Sequence, residues 1–172
     1  MQRIGYPAAR LLAVILVSAM PAMASAEVNV EESKLGATIS IDGQRFATYR
    51  TLSGHQPIVW PIIGPDGQAM TRQYPMGDAL PGEADDHAHH RSLWFNHGSV
   101  SGKDFWMEPR ADAPPERNNQ IVHRKFLELK SGDAGRLVAQ NDWTSGGAKL
   151  CEDTRIVEFG ADEHGRWIDF AV

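Results

Sequence analysis

The sequence predicts an all-β protein, most simply an antiparallel β-sandwich, and two observations support this. Apolar and polar residues alternate with a period of two in several short segments, and Gly or Pro turn signals separate these segments at hairpin spacing. After residue 26 no segment has helical periodicity over a useful length, and no internal repeat is found. Two packed sheets are favoured over a small barrel.

The first half of the chain contains the clearest hairpin signal. Residues 37–41 alternate between apolar and polar side chains and are followed by Asp42-Gly43, a common two-residue turn, so residues 46–51 are expected to form the returning strand. The apolar segment 57–63 contains two prolines, which predicts an edge strand or an extended segment. A Gly-Pro-Asp-Gly turn and a second extended piece follow it, over residues 64–74.

The second half begins with an irregular loop and continues into further strands. The loop spans 75–90, and aromatic-rich strands are expected at 92–97 and 104–107, followed by a polar loop at 109–119. An antiparallel meander of four strands is then predicted at 121–129, 136–144, 150–159 and 167–172.

Composition and charge exclude several classes of protein. The 172 residues carry a net charge of −5, which argues against nucleic acid as a partner. Cys151 is the only cysteine, so neither an intramolecular disulfide nor a cysteine-rich zinc module can form.

Residues 1–26 have the three regions of a secretory signal peptide. Arg3 and Arg10 precede the apolar run 11–20, and Ala24-Ser25-Ala26 supplies small residues for cleavage. Cleavage would release a single domain, 27–172, into the periplasm or the medium, with no segment left that could cross a membrane. An uncleaved membrane anchor is the alternative.

The chain ends within a strand pattern, without a closing turn or a polar tail. We therefore expect residues 27–172 to be a fragment of a longer domain and the sandwich to be incomplete at its C-terminus. Such a cut would leave an apolar strand edge unpaired.

The densest group of candidate functional residues lies at the end of the long loop. In an extended backbone, side chains two residues apart point the same way, so His87 and His89 would converge on one face. Two imidazoles and a carboxylate can bind a divalent metal, with Asp85, His97 or His123 as a further ligand. Without a metal, the same histidines can transfer protons, and a neighbouring aspartate can select the tautomer. A purely structural role in the loop is the alternative.

Known metal signatures do not match this segment. Neither His-Glu-x-x-His nor its inverse occurs. A cupin-like site also uses a His-x-His pair, but Leu93 and Trp94 stand where its glutamate is usual. The cofactor therefore stays unknown, with a divalent metal at His87 and His89 as a hypothesis.

Aromatic residues close to this segment are candidates for stacking on a sugar ring, whose apolar faces suit flat side chains. On strands, such residues more often belong to the core. The candidates are Trp94, Phe95, Phe105, Trp106, Trp143 and Trp167.

The string Asp86–Gly98, followed by Val100–Trp106, resembles the signature of the bacterial PmoA-like family, and the similarity runs from about Thr48 to the C-terminus. The resemblance implies an exported, mostly β protein that is longer than this chain. The family carries the label of a methane oxygenase, whose membrane subunit has several spanning segments. The mature chain has none, so we treat the label as a name only.

Together these observations predict an exported β-sandwich that binds or acts on a carbohydrate-like small molecule. The alternatives are a metal-dependent oxygenase using iron or copper, a non-catalytic binding module, and a loop with a structural role only. The expected catalytic residues are Asp86, His87, His89, His90 and Arg91. Of these, His87 or His89 is expected to act as general acid or base, Asp86 to orient the histidine, and Arg91 to bind an oxygen-rich substrate. The expected substrate-binding residues are Trp94, His97, Asp104 and Trp106.

Overall fold

A computed structural model describes residues 26–110, 112, 114 and 118–172. These residues form two antiparallel sheets and contain no helix, which confirms the predicted all-β class. Consistently, none of the residues in this part of the chain forms a helix long and apolar enough to span a membrane. The expected signal peptide, apart from Ala26, lies outside the described residues.

The first sheet has five strands in the order β1-β2-β3-β4-β5, so that neighbours in sequence are neighbours in space. Their bounds are β1 Val28–Ser33, β2 Gly36–Ile41, β3 Gln44–Ser53, β4 Gln56–Ile62 and β5 Leu93–Trp94. The predicted hairpin turn joins β2 to β3. Asp42 and Gly43 both have a positive φ, 51° and 74°, as the primed turns of tight hairpins require.

The second sheet is the predicted meander, in the order β6-β7-β8-β9. Its bounds are β6 Asn119–Lys130, β7 Gly135–Ser145, β8 Ala148–Asp162 and β9 Gly165–Ala171. The four strands are longer than the sequence pattern predicts, because ladder hydrogen bonds continue into polar residues at both ends of the alternating segments.

The main core lies between the two sheets, where alternate side chains of both sheets meet. The first sheet contributes Val28, Val30, Ala37, Ile39, Ile41, Phe46, Ala47, Tyr49 and Val59, and the second contributes Leu137, Ala139, Val157 and Phe159. A smaller buried cluster of Phe105, Ile121 and Trp143 lies apart from it. Phe105 and Trp143 are therefore buried core residues, as expected for aromatic residues in predicted strands, and are not available to stack on a sugar.

The two aromatic-rich segments predicted as strands differ from the prediction: one is much shorter and the other is not a strand. Within 92–97 only Leu93–Trp94 pairs, with Ile58 and Val59 on the outer edge of β4. The segment 104–107 is irregular, because the Asp104 carboxylate accepts hydrogen bonds from the backbone N–H groups of Trp106 and Met107 and bends the chain there. Aromatic content alone thus overestimates the strands in this region.

Gly160 in β8 has no room for a side chain, because a Cβ atom there would overlap the indole of Trp167 on β9. We expect Gly160→Ala to lower the free energy of unfolding by about 1–3 kcal/mol, as overpacking does in a well-packed site. Chemical denaturation measures this loss. Gly77→Ala is the control, because a Cβ atom there would lie 3.8 Å from its nearest neighbour, in ordinary contact; an equal loss in both variants would contradict the explanation.

Candidate functional site

Five aromatic rings form one contiguous group at the end of the long loop, and we call this group the ring cluster. His87 stacks on His90 with 5.1 Å between ring centroids, and His89 meets His90 edge-on at 4.3 Å. Trp94 and Trp106 contact each other at 4.8 Å, and the centroid of Trp106 lies 6.2 Å from that of His90. Trp106 is 42% exposed, so the cluster is open to solvent.

The histidines converge through a turn of the backbone. His87 has a φ of 49°, and the N–H of His90 donates to the carbonyl of His87 at 2.9 Å. The extended backbone expected for this segment is therefore wrong, although the His87 and His89 rings do approach each other, with 5.7 Å between centroids. The turn also brings in His90, which strand geometry would direct to the opposite face.

Arg72 holds this turn in place. Its guanidinium donates to the backbone carbonyls of Asp86, His87 and His90 at 2.9, 2.8 and 3.3 Å, and also to that of Ala84. Irregular backbone needs such partners, because its own polar groups lack a ladder. Sequence reasoning did not identify Arg72 as a site residue. The available signal was that it is the only Lys or Arg between residues 64 and 90.

The Glu83 carboxylate fixes the earlier part of the same loop. It accepts hydrogen bonds from the backbone N–H groups of Gln73, Tyr74 and Leu80, at 2.6, 3.2 and 3.1 Å. Burial alone would raise the pKa of Glu83, but these three N–H groups and the charge of Arg72 outweigh it and lower the pKa. The carboxylate therefore stays ionised, and the loop keeps its shape, at neutral pH.

The structure brings Asp86 and His87 together as a carboxylate–imidazole pair. Oδ2 of Asp86 lies 2.7 Å from Nδ1 of His87. The hydrogen bond from His87 lowers the pKa of Asp86, and the nearby charge of Arg72 adds to the effect. An ionised Asp86 selects the tautomer of His87 with its proton on Nδ1, which leaves Nε2 to exchange protons. The catalytic roles expected for both residues stay predictions.

His89 is half-buried, whereas His87 and His90 are exposed. Burial lowers its pKa, and the neighbouring imidazoles of His90 and His87 lower it further, against an opposing effect of Glu108. At neutral pH His89 is therefore an uncharged imidazole, which can accept a proton.

Arg91 is 9% exposed and is held by partners of its own. Nη2 donates to both carboxylate oxygens of Glu108, at 2.9 and 2.8 Å, and Nη1 donates to Oγ of Ser53 at 3.0 Å. The pair lies against Gly54, where φ is 63° and a Cβ atom would come within 2.5 Å of Glu108 Oε1. Arg91 thus anchors the loop on the β3–β4 turn, and the expected contact with substrate would require this ion pair to open.

The other expected substrate-binding residues are placed unequally. Trp94 and Trp106 belong to the ring cluster, whereas His97 lies outside it, exposed, with Nδ1 accepting from the N–H of Ser99 at 3.0 Å. Asp104 is not one of the five rings, but its carboxylate accepts a hydrogen bond from the N–H of Trp106 at 2.7 Å and so helps to position that residue.

A metal at His87 and His89 stays a prediction. Among the described residues, no group of three or more His, Cys, Asp or Glu side chains is arranged to hold a metal ion. His123, one of the expected further ligands, packs against Tyr49 and Phe126, with centroids 6.3 and 4.5 Å from its own.

Arg72 is expected to determine the shape of the ring cluster. Arg72→Lys replaces a fork of several donors by a single ammonium, so we expect a loss of about 1–3 kcal/mol in the free energy of unfolding and a loss of ordered imidazole contacts. NMR chemical shifts of the histidine side chains report the second effect. The control is Arg45→Lys, since Arg45 donates to the Thr48 hydroxyl in β3; unchanged histidine shifts in Arg72→Lys would contradict the assignment.

His55, at the β3–β4 turn, is expected to make stability depend on pH. It is 2% exposed, Nε2 donates to the carbonyl of Phe105 at 2.9 Å, and burial lowers its pKa below the ordinary 6.5. The unfolded chain then binds a proton more readily than the folded one, so stability is complete above about pH 6.5 and falls as the pH decreases towards the lowered pKa.

Urea denaturation at pH values from about 7.5 down to about 5, on both sides of the ordinary histidine pKa, tests this origin. We expect His55→Gln to have a shallower dependence on pH than the parent, with part of the slope left by His89 and His123, whose pKa values burial also lowers. His164→Gln, in an exposed turn, is the control. A parent-like slope in His55→Gln would show that His55 is not responsible.

Comparison with known proteins gives one result. No curated protein and no solved structure matches the chain. The model of a protein family, described as a family of unknown function (DUF6807), matches residues 36–172, which include every strand from β2 to β9 and the whole ring cluster. The chain belongs to the DUF6807 family.

Proposed function

We propose that the protein binds a carbohydrate or a similar polyhydroxylated small molecule at the ring cluster and acts on it by proton transfer. The observation that supports this proposal is the contiguous arrangement of three imidazoles and two indoles at a solvent-exposed position. The indoles supply flat apolar surface, and the imidazoles supply hydrogen-bonding and titrating groups at its border.

Binding would depend mainly on the tryptophans. The apolar faces of a pyranose ring suit stacking on an indole, and Trp106 has the exposed surface that such contact needs. Trp94 is half-buried and packs against Trp106, with 4.8 Å between ring centroids. The His89 and His90 rings lie 6.3 and 6.2 Å from the Trp106 ring, close enough to reach the hydroxyl groups of a stacked sugar.

The histidines have different environments, which suits them to different steps. His89 is uncharged at neutral pH because of its burial and can act as a general base. His87, whose Nδ1 is hydrogen-bonded to Asp86, can deliver or accept a proton through Nε2. A pair of titrating groups in unlike environments is the usual basis for dividing acid and base roles.

The signal peptide expected in residues 1–26 would place this activity in the periplasm or outside the cell. The negative net charge of −5 disfavours binding of nucleic acid and is compatible with a small ligand that contacts only a few residues.

Trp106→Ala is expected to weaken sugar binding by about tenfold or more, because an exposed stacking surface is lost. Isothermal titration calorimetry against a panel of mono- and oligosaccharides measures the change. The control is Leu127→Ala, which removes another exposed apolar side chain, from β6. If no sugar of the panel binds the parent, the proposed function is wrong.

His89→Ala is expected to abolish turnover of a bound sugar while leaving the fold and the stacking on Trp106 intact, because it removes the proton acceptor and keeps both indoles. Product formation and circular dichroism are measured together. Full activity in this variant would exclude His89 as the base. Binding without turnover in the parent, lost in Trp94 or Trp106 variants but kept in histidine variants, would instead identify a non-catalytic binding module.

A further inference from the structure

A cleft of about 550 Å³ is lined by residues that precede and follow Trp106 in the chain, and neither the proposed sugar stacking nor the proton transfer uses it. Its lining includes Lys103, Asp104, Met107, Glu108, Arg110 and Asn119. We propose that this cleft receives a carboxylate-bearing part of the ligand, so that the substrate class is an acidic sugar such as a uronate. This inference rests on the proposed function and narrows it.

The cleft and the ring cluster are joined by one short segment of chain. The Asp104 carboxylate accepts from the N–H groups of Trp106 and Met107, which fixes the bend between them. Trp106 contacts the histidines, whereas Met107 and Glu108, the next two residues, line the cleft. Glu108 is also close enough to influence the pKa of His89 electrostatically. To use both surfaces, a ligand stacked on Trp106 would extend along this segment into the cleft.

Among the described residues that line the cleft, one cation has no ion-pair partner. Glu108 is paired with Arg91 at 2.8 Å, and Arg110 is paired with Asp112 at 3.0 Å. Asp104 accepts from two backbone N–H groups. Lys103 makes no ion pair with any residue in the ranges 26–110, 112, 114 and 118–172 that the structure describes, and it is only half-exposed. A ligand carboxylate would give this ammonium the partner that the described part of the protein does not.

Asn119 provides an independent indication that the cleft is a binding site. Its side chain is 7% exposed, and Nδ2 donates to the carbonyl of Asp104 at 2.7 Å. Its Oδ1 is buried and has no hydrogen-bond partner among the described residues. Buried acceptors are normally satisfied, so this oxygen is suited to receive a hydroxyl from a molecule in the cleft. A sugar acid offers both groups, a carboxylate for Lys103 and a hydroxyl for Asn119.

The negative net charge of the chain does not oppose this assignment. At physiological ionic strength the screening length is about 8 Å, so the charges within the cleft decide the interaction more than distant ones. An ion pair in a cleft of this kind weakens as salt rises, which distinguishes it from stacking on Trp106.

Calorimetric titration with a panel of uronate oligosaccharides, each paired with its methyl ester, tests the inference. The ester keeps the shape of the sugar and removes the negative charge. We expect the acid to bind more tightly than its ester by about tenfold or more, in line with a hydrogen bond to a charged group. Lys103→Met is expected to abolish this preference while binding of the ester is retained. The control is Lys130→Met, at the far end of β6 from Asn119, which should keep the preference.

The outcomes separate this inference from the proposed function. If esters or neutral sugars bind as tightly as the acids, or Lys103→Met keeps the preference for acids, the acidic subsite is wrong and sugar binding stands. If Trp106→Ala leaves the binding of acids unchanged, the cleft is not an extension of the ring cluster and the inference fails. If neither acids nor neutral sugars bind the folded parent, both proposals are overturned.

Discussion

The structure depends on one buried cation, Arg155 of β8, which is fully enclosed. It pairs with Asp153 at 3.1 Å and donates to the backbone carbonyls of Pro57 in β4 and Phe95 after β5, both at 3.2 Å. One side chain of the second sheet thereby contacts both β4 and the residue that follows Trp94. The hydrogen bonds to these two carbonyls cross between the sheets, and a hydrogen bond to a charged group contributes about 1.5–3 kcal/mol, so the sheets cannot separate here without a large loss. The position of the ring cluster follows from this constraint.

The candidate site itself consists of irregular backbone whose polar groups are hydrogen-bonded by side chains. Arg72 satisfies carbonyls in the turn of the histidines, the Glu83 carboxylate satisfies N–H groups earlier in the loop, and the Arg91–Glu108 pair attaches the loop to the β3–β4 turn. Each of these contacts uses a charged group, whose hydrogen bonds are stronger than those between neutral groups. Such a loop can present exposed rings without a strand or helix beneath each of them.

Glu108 interacts with several parts of the site. It holds Arg91, borders the cleft next to Lys103, and opposes the lowering of the pKa of His89 by burial and by the neighbouring imidazoles. Stacking, proton transfer and the recognition of charge are therefore proposed for adjoining surfaces. Contacting rings of the cluster have centroids 4.3 to 6.3 Å apart, so one small molecule can contact several of them at once.

The sequence alone determined the all-β class, the turn at Asp42-Gly43 and the meander of the second sheet, because alternation and hairpin turns are local and act between neighbouring segments. It also indicated the region of the candidate site, since the histidines are adjacent in the chain. Only the tertiary structure decided that the histidines meet in a turn, that Arg72 holds this turn, and that Trp106 is exposed whereas Trp143 is buried. The turn closes between residues three apart, but Arg72 holds it, and the burial of Trp143 depends on Phe105 and Ile121. Such contacts between residues distant in sequence leave no periodic signal from which they could be predicted.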